Sequence, residues 1–416
     1  MIKFLHAADI HLDSPLKGLV QYEGAPVDEC RGATRRALEN LVALAMAEKV
    51  AFVLIVGDLY DGDWPDYNTG LFFGRQMARL RDSKIQVIMV RGNHDAASTM
   101  TKDLRLPDNV RVLDTTKPQT LTLDEFGVAI HGQSFPTRAV KENLAVTYPE
   151  HTPGLFNIGL LHTSVTGHEG HDDYAPCTLD HMRSREYAYW ALGHIHEHGI
   201  LRKLDPLIAF PGNIQGRSVR ELGPKGCLLV TVDDAGNVTT ETRWLDVMRW
   251  QTCRVDATGA RDVDELLQRF RDRLPEEFDN ADDRLLALRV EFQGRCRAHA
   301  PASADWTRFS NDVRQIATET AGGRAWVEKV VAKTRPPAEN LNGAGEGPRA
   351  ELAALLEELR SDENRLKDLG DKSLDDLKAK VSGDLRDDLD KPERLRELLD
   401  QVGEMLLDRL HCHAGT

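Results

Sequence analysis

The sequence has no apolar stretch long enough to cross a bilayer. Its opening residues, Met1-Ile2-Lys3-Phe4-Leu5-His6, lack the layout of a secretory leader and read as a strand that starts at once. A cytoplasmic protein with no membrane partner is expected. There is no Cys-x-x-Cys pair. Cys30, Cys177, Cys227, Cys253, Cys296 and Cys412 are scattered, which argues against a zinc knuckle or a disulfide framework and leaves reduced structural thiols. There is no basic excess: 53 Lys and Arg face 67 Asp and Glu, for a net charge of −14. A protein that coats nucleic acid non-specifically needs the opposite balance. A phosphate site is still allowed, because divalent ions and local basic patches concentrate positive charge within an acidic whole. No internal repeat of useful length is visible.

What is present is an ordered alternation. Residues 1–249 carry apolar runs at Ile2–Ala7, Ala51–Val56, Gln86–Val90, Asn157–Leu161 and Tyr187–Leu192. Helical spacing fills Ala33–Lys49, through Ala37, Leu41, Leu44 and Ala45, and Gly70–Asp82. Strands separated by helices imply βαβ units and a sheet with layers packed on it. Further strands are expected at Val128–Gly132, Ile208–Pro211, Gly226–Asp233 and Val238–Trp244, the last two joined as a hairpin by Asp234-Ala235-Gly236-Asn237. Residues 250–335 read as a smaller α/β domain, in the order strand Gln251–Asp256, helix Asp262–Leu274, strand Arg284–Phe292, helix Ser303–Thr320 and strand Ala325–Lys333. Residues 336–348, from Pro336-Pro337 to Gly347-Pro348, form a linker. Residues 349–416 are charged and helical, with leucine-rich stripes at Leu352/Leu355/Leu356/Leu359, Leu374/Leu377/Val381/Leu385 and Leu395/Leu398/Leu399/Val402/Leu406/Leu410. Such a tail either docks on a partner or folds as a small bundle of its own.

Each main apolar run of the first half ends in residues suited to binding a metal. They are Asp9 and His11; Asp58 and Asp61; Asn93 and His94; His162; and His194 and His196. Side chains two apart on an extended chain point the same way, so Asp9 with His11, and His194 with His196, can each aim at one point. Sites in layered α/β folds form where the carboxyl ends of strands meet. Gly57, Gly92 and Gly193 fit sharp strand exits that need positive φ or close backbone approach. Carboxylate, amide oxygen and imidazole without thiolate suit manganese, iron or zinc. Asp58 is the natural bridging carboxylate, and two ions so held can clamp a phosphate and activate water. His94 is the candidate to assist the leaving oxygen. Taken singly these elements are weak; all five in order, each after a strand, are not.

Other residues carry less. Trp64 and Tyr67 could stack on a base or sugar, or simply anchor a loop. Arg217 and Arg220 could hold a phosphate, while the loop Pro211-Gly212-Asn213-Ile214-Gln215-Gly216-Arg217 could equally buttress the strand before His196. His168, His171, His181 and His198 read as loop histidines, and His6 and His131 as core or supporting groups.

The opening Lys3-Phe4-Leu5-His6-Ala7-Ala8-Asp9-Ile10-His11-Leu12-Asp13-Ser14, then Gly57-Asp58-Leu59-Tyr60-Asp61, Gly92-Asn93-His94-Asp95, Leu160-Leu161-His162-Thr163 and Gly193-His194-Ile195-His196, resemble the calcineurin-like metallophosphoesterases. More narrowly they resemble the SbcD-type DNA repair exonucleases, including their YhaO-like branch. So does Phe210-Pro211-Gly212-Asn213-Ile214-Gln215-Gly216-Arg217 followed by Glu221. The resemblance implies an α/β fold: a layered β-sandwich core flanked by helices, a smaller α/β capping domain and a helical C-terminal tail. It implies two manganese ions, with magnesium, iron or zinc as alternatives. One would be held by Asp9, His11, Asp58 and His196, the other by Asp58, Asn93, His162 and His194. His94 would be the catalytic histidine. Asp61 stands where several members carry a histidine that orients the catalytic group. The implied partners are DNA, a second copy of the chain, and an SbcC-type coiled-coil ATPase engaged by the helices after the capping domain. The leading expectation is therefore a metal-dependent DNA nuclease that processes broken ends. Alternatives are a small-molecule or cyclic-nucleotide phosphodiesterase on the same fold, or an inactive scaffold that binds DNA or the ATPase.

Overall fold

A computed structural model describes residues 1–14, 27–61, 67–97, 105–165, 174–337, 348–378, 389 and 391–413. Trp64, His168, His171, Val381, Leu385 and most of the expected linker lie outside the described residues.

In chain order the strands are β1 Ile2–Ala7, β2 Phe52–Val56, β3 Gln86–Val90, β4 Val110–Val112, β5 Gln119–Leu123, β6 Val128–Gly132, β7 Phe156–His162, β8 Tyr189–Gly193, β9 Gly199–Arg202, β10 Leu207–Phe210, β11 Gly226–Val232, β12 Val238–Trp244, β13 Met248–Asp256, β14 Leu285–Arg295 and β15 Ala325–Arg335. The helices are α1 Val27–Glu48, α2 Asn68–Asp82, α3 Asn93–Ala97, α4 Leu179–Arg183, α5 Val263–Ala281, α6 His299–Ala304, α7 Trp306–Ala321, α8 Pro348–Ser361, α9 Glu363–Lys378 and α10 Pro392–His413. Two compact units result. One comprises residues 1–252, 276–289 and 321–328; the other comprises 253–275, 290–320 and 329–416.

The first unit is a two-sheet sandwich. One sheet has the order β12-β11-β1-β2-β3-β4 and the other β5-β6-β7-β8-β10-β9. β1, β2, β3 and β4 run parallel, as do β6, β7, β8 and β10, while β11, β12, β5 and β9 join antiparallel at the flanks. The period-two rule decides the layers. Phe4, Phe52, Leu54, Val56, Ile88 and Val90 point into the core between the sheets, where they meet Ile130, Ile158, Leu160, Tyr189 and Ala191. The alternate residues Leu5, Val53, Ile55, Val87 and Met89 face α1 and α2, through Leu38, Leu41, Phe73 and Met77. On the far side of the other sheet, Leu161, Trp190, Leu192 and Phe210 pack on Phe135, Tyr148 and Met182. Strands buried on both faces explain the uninterrupted apolar runs. Each such side chain contributes about 1.5–3 kcal/mol on burial.

The second unit contains most of α5 and the whole of α8–α10. The helix expected to stop at Leu274 continues through Pro275 to Ala281. The single helix expected over 303–320 is broken at Asp305, whose carboxylate accepts the Arg308 N–H at 3.1 Å and starts α7. Leu366, Leu395 and Leu399 form the small core of α8–α10, while Leu355, Leu369, Leu377, Val402 and Leu406 stay exposed. Among the described residues, no helix is long and apolar enough to cross a membrane.

Candidate metal centre

The site gathers at the carboxyl ends of β1, β2 and β3 from one sheet and of β7 and β8 from the other. The donors thus come from both layers of the expected sandwich. The loops after β1 and β2 run side by side, with Asp9 N–H donating to Gly57 O at 3.1 Å, His11 N–H to Asp58 O at 3.0 Å and Leu12 N–H to Leu59 O at 2.9 Å. They are not extended continuations of their strands. Asp9, His11 and Asp58 have φ of 50°, 45° and 50°, and His194 has 103°. Non-glycine residues held there are strained, which the surrounding hydrogen bonds must offset. The expected glycine roles divide. Gly57 has φ +82°, whereas Gly92 and Gly193 serve close approach: a Cβ would lie 2.3 Å from Asp58 Oδ1 at the first and 1.8 Å from Val56 O at the second.

Among the described residues, three groups each bring their donor atoms within 4.8 Å of one another: Asp9, His11 and His196; His11, Asp58 and His94; and Asp9, Asp58 and His162. Asn93 Oδ1 is 3.0 Å from His162 Nε2. The His194 ring packs edge-on to His162 at 5.3 Å and to Tyr174 at 5.4 Å, and belongs to none of these groups. Its main-chain N–H holds the Asp9 carboxylate at 2.9 Å. Asp9, His11, Asp58, Asn93 and His162 are buried, while the His94 side chain is 35% exposed and faces solvent.

The histidines are oriented by what binds their other nitrogen. His162 Nδ1 lies 3.0 Å from Val56 O, an acceptor only, so it carries the proton and turns Nε2 to Asn93 and Asp58. His196 Nδ1 lies 2.8 Å from Glu221 Oε1, which likewise leaves its Nε2 as a lone pair. That lone pair sits 3.1 Å from His11 Nε2, while His11 Nδ1 is buried without a hydrogen-bond partner. A divalent cation fits this arrangement, since it would satisfy imidazole lone pairs and neighbouring carboxylates together.

The charges agree. Burial pushes the Asp9 carboxyl up to about 6, against the pull of His196 and His162. Burial opposes ionisation of Asp58 too, but His162, His11 and His94 outweigh it and hold its pKa well below the usual range. His162, although fully buried, is lifted to about 9 by Asp58. Burial, with the charges of Arg217 and His196, drives His11 well below the ordinary imidazole value.

Beside this cluster stands a dyad. His94 Nδ1 is 2.7 Å from Asp61 Oδ1, and Asp61 Oδ2 accepts from Ser14 Oγ at 2.6 Å. Burial works against a charged His94, but the Asp61 hydrogen bond and the Asp58 and Asp61 charges raise its pKa. His94 N–H also donates to Asp58 Oδ1 at 2.9 Å.

Two supporting carboxylates had no role assigned from sequence. Glu221 accepts from His196, from Arg217 N–H and Nη2 at 2.7 Å each, and from Asn213 Nδ2 at 3.0 Å. Asp95 accepts from the N–H groups of Leu59, Tyr60 and Gly92 at 3.2, 3.0 and 3.2 Å, clamping the second loop to the third. The Arg217–Glu221 spacing after an ordered Pro-Gly-Asn turn was the available signal for the first; Asp95, inside Gly92-Asn93-His94-Asp95, offered none. Arg217 points inward, bound to Glu221 and 3.7 Å from Asp61. Arg220 and Tyr67 are exposed. His6 and His131 are fully buried, and His181 caps α4 through Thr178.

A two-layer sandwich with Asp, Asn and His at its strand ends defines a metallophosphoesterase, and the chain belongs to the calcineurin-like metallophosphoesterases. Residues 2–198 match the calcineurin-like phosphoesterase family, and residues 250–335 match the middle domain of the metallophosphoesterase YhaO. The chain is 34% identical over 274 residues to the uncharacterized metallophosphoesterase YhaO of Bacillus subtilis, covering 65% of this chain and 67% of that one. It is 24% identical to one component of the nuclease SbcCD of Bacillus subtilis, over 59% of this chain and 69% of that one. It is 25% identical to the DNA double-strand break repair protein Mre11 of Saccharolobus solfataricus, over 51% of this chain and 54% of that one, so this match spans about half of that relative's length.

Proposed function

We propose that this chain is a manganese-dependent phosphodiesterase that cuts DNA during the processing of broken ends. The chief support is Asp58, a buried carboxylate shared by the His11–His94 group and the Asp9–His162 group. Asp9, His11, Asp58 and His196 would hold one ion; Asp58, Asn93, His162 and His194 would hold the other. Such ions supply Lewis acidity toward the phosphate and lower the pKa of attacking water.

The chain's own residues do the rest. Glu221 fixes the His196 tautomer, and Val56 O fixes that of His162. Asp61 holds Nδ1 of His94 and leaves its Nε2 for the substrate. With its pKa raised by that partner, His94 can protonate the departing oxygen or stabilise the charge on it. The His94 side chain, 35% exposed against 22% for His196, suits a group that meets substrate from solution.

DNA is favoured over a small substrate by the Mre11 and SbcCD relatives and by the additional α/β and helical regions, which a small molecule does not need. In this reading two copies of the chain associate, and α8–α10 dock an SbcC-type ATPase. A labelled DNA duplex incubated with the full chain and manganese tests the substrate. Metal-dependent shortening is expected. No cleavage of any DNA, with rapid turnover of a cyclic nucleotide instead, would refute it.

A further inference from the structure

We propose that Gln215 and Trp250 are positioning residues that set His196 through a hydrogen-bonded latch onto the start of β13. The inference deepens the metal-centre reading and rests on it.

Residues 215–223 are pinned to residues 247–250 at both ends. At one end the Gln215 amide, 2% exposed, uses its oxygen and its nitrogen. Its Oε1 accepts from Val247 N–H at 2.9 Å and Met248 N–H at 3.4 Å, and its Nε2 donates to Met248 O at 2.7 Å and Gly216 O at 3.0 Å. The Trp250 indole N–H reaches the same Gly216 O at 3.1 Å. At the other end Gly223 N–H donates to Trp250 O at 2.9 Å. Between the two ends lie Arg217 and Glu221, the pair that holds His196 Nδ1. Asn213 ties the halves together by donating to Gln215 O at 2.9 Å and to Glu221 Oε2 at 3.0 Å.

Gln215, Trp250 and Met248 touch none of the donor atoms, yet they fix the backbone from which Glu221 reaches His196. A buried amide satisfied on both sides is costly to disturb, because its loss strands the N–H groups of Val247 and Met248. The opposite side of the centre does not depend on this segment, since His162 is oriented by the Val56 carbonyl of β2. The latch therefore acts on one ion position and spares the other.

The experiment is a calorimetric manganese titration of the full chain, wild type against Gln215→Leu, Gln215→Glu and Trp250→Phe, with melting temperatures recorded. Histidine nitrogen NMR of the metal-free proteins is recorded in parallel, to read the His196 Nδ1–H bond to Glu221. Gln215→Leu is expected to weaken one ion by about tenfold, the lower end for lost support of a metal-bound histidine, and to leave the other near its wild-type affinity. Gln215→Glu keeps an acceptor for both stranded N–H groups but sets an oxygen against Met248 O and Gly216 O, where Nε2 now donates, and is expected to weaken the same ion at least as much. Trp250→Phe is expected to cost about threefold, one neutral hydrogen bond. The His196 signal is expected to shift in Gln215→Leu. Unchanged affinity for both ions, or equal weakening of both with a lower melting temperature, would overturn the latch. If the wild type takes up no manganese, the metal-centre reading falls by itself. An unmoved His196 signal in Gln215→Leu would then overturn the latch independently.

Discussion

Main-chain N–H groups hold both carboxylates of the metal centre, Asp58 from His94 and Asp9 from His194, but the two histidines His162 and His196 are supported by different materials. On the Asp58 side, His162 leans on the Val56 main-chain carbonyl, and Asp58 receives the His94 main-chain N–H. On the Asp9 side, His196 leans on a side chain, Glu221, which is held in turn by Arg217 and Asn213. A backbone support comes with the strand itself and no point substitution removes it. A side-chain support must be supplied by a residue 25 positions away, and it can be removed alone. The difference predicts asymmetry: the His196 side is the adjustable one.

The most damaging way to erase that contrast is Asp58→Asn, which alters the carboxylate common to both sides. Cutting of duplex DNA is expected to vanish, with calorimetry showing both ion positions impaired. His94→Gln separates chemistry from binding: turnover is expected to fall by about 10²–10⁴-fold while metal uptake is largely kept. Equal loss of metal in these two variants would refute their different roles. Glu221→Gln sharpens the contrast itself. It is expected to weaken the His196-side ion by about 10–100-fold and to spare the other; a uniform loss of both would count against it. Asp61→Asn removes the charged partner of His94, and turnover is expected to drop about tenfold, the value of one charge-assisted hydrogen bond, with both ions retained. The smallest effect is expected in α10. Val402→Glu with Leu406→Glu replaces exposed residues of α10 and is expected to change stability by less than about 0.5 kcal/mol. Loss of ATPase co-purification in that variant would support docking there, and unchanged recovery would end the idea.

How far the site could be read from sequence follows the same division. The strand-end motifs were legible because each places donor types directly after an apolar run, and Asp9, His11, Asp58, Asn93, His94 and His162 do come together. Less legible was how they come together. The left-handed turns at Asp9, His11 and Asp58 leave no mark in residue type, so an extended continuation was the natural expectation. Which sheet each strand joins was not legible in the runs themselves, since an apolar run does not say which neighbour it pairs with; the sandwich came from the family resemblance alone. β4, β5 and β9 are short and weakly apolar, and fell below the strand signal. Glu221 was visible as part of a quoted segment, but its partner His196 precedes it by many residues and only folding reveals the pairing. In the tail, leucine stripes identified helices without deciding their use; α8–α10 bury Leu366, Leu395 and Leu399 and, among the described residues, still expose Leu355, Leu369, Leu377, Val402 and Leu406.

The most direct measurement is diffraction at the manganese absorption edge from crystals of the full chain soaked in manganese. Two anomalous peaks are expected within the cage of Asp9, His11, Asp58, Asn93, His162, His194 and His196. No peak in that cage, or peaks only elsewhere on the chain, would contradict the metal centre and the phosphodiesterase built on it.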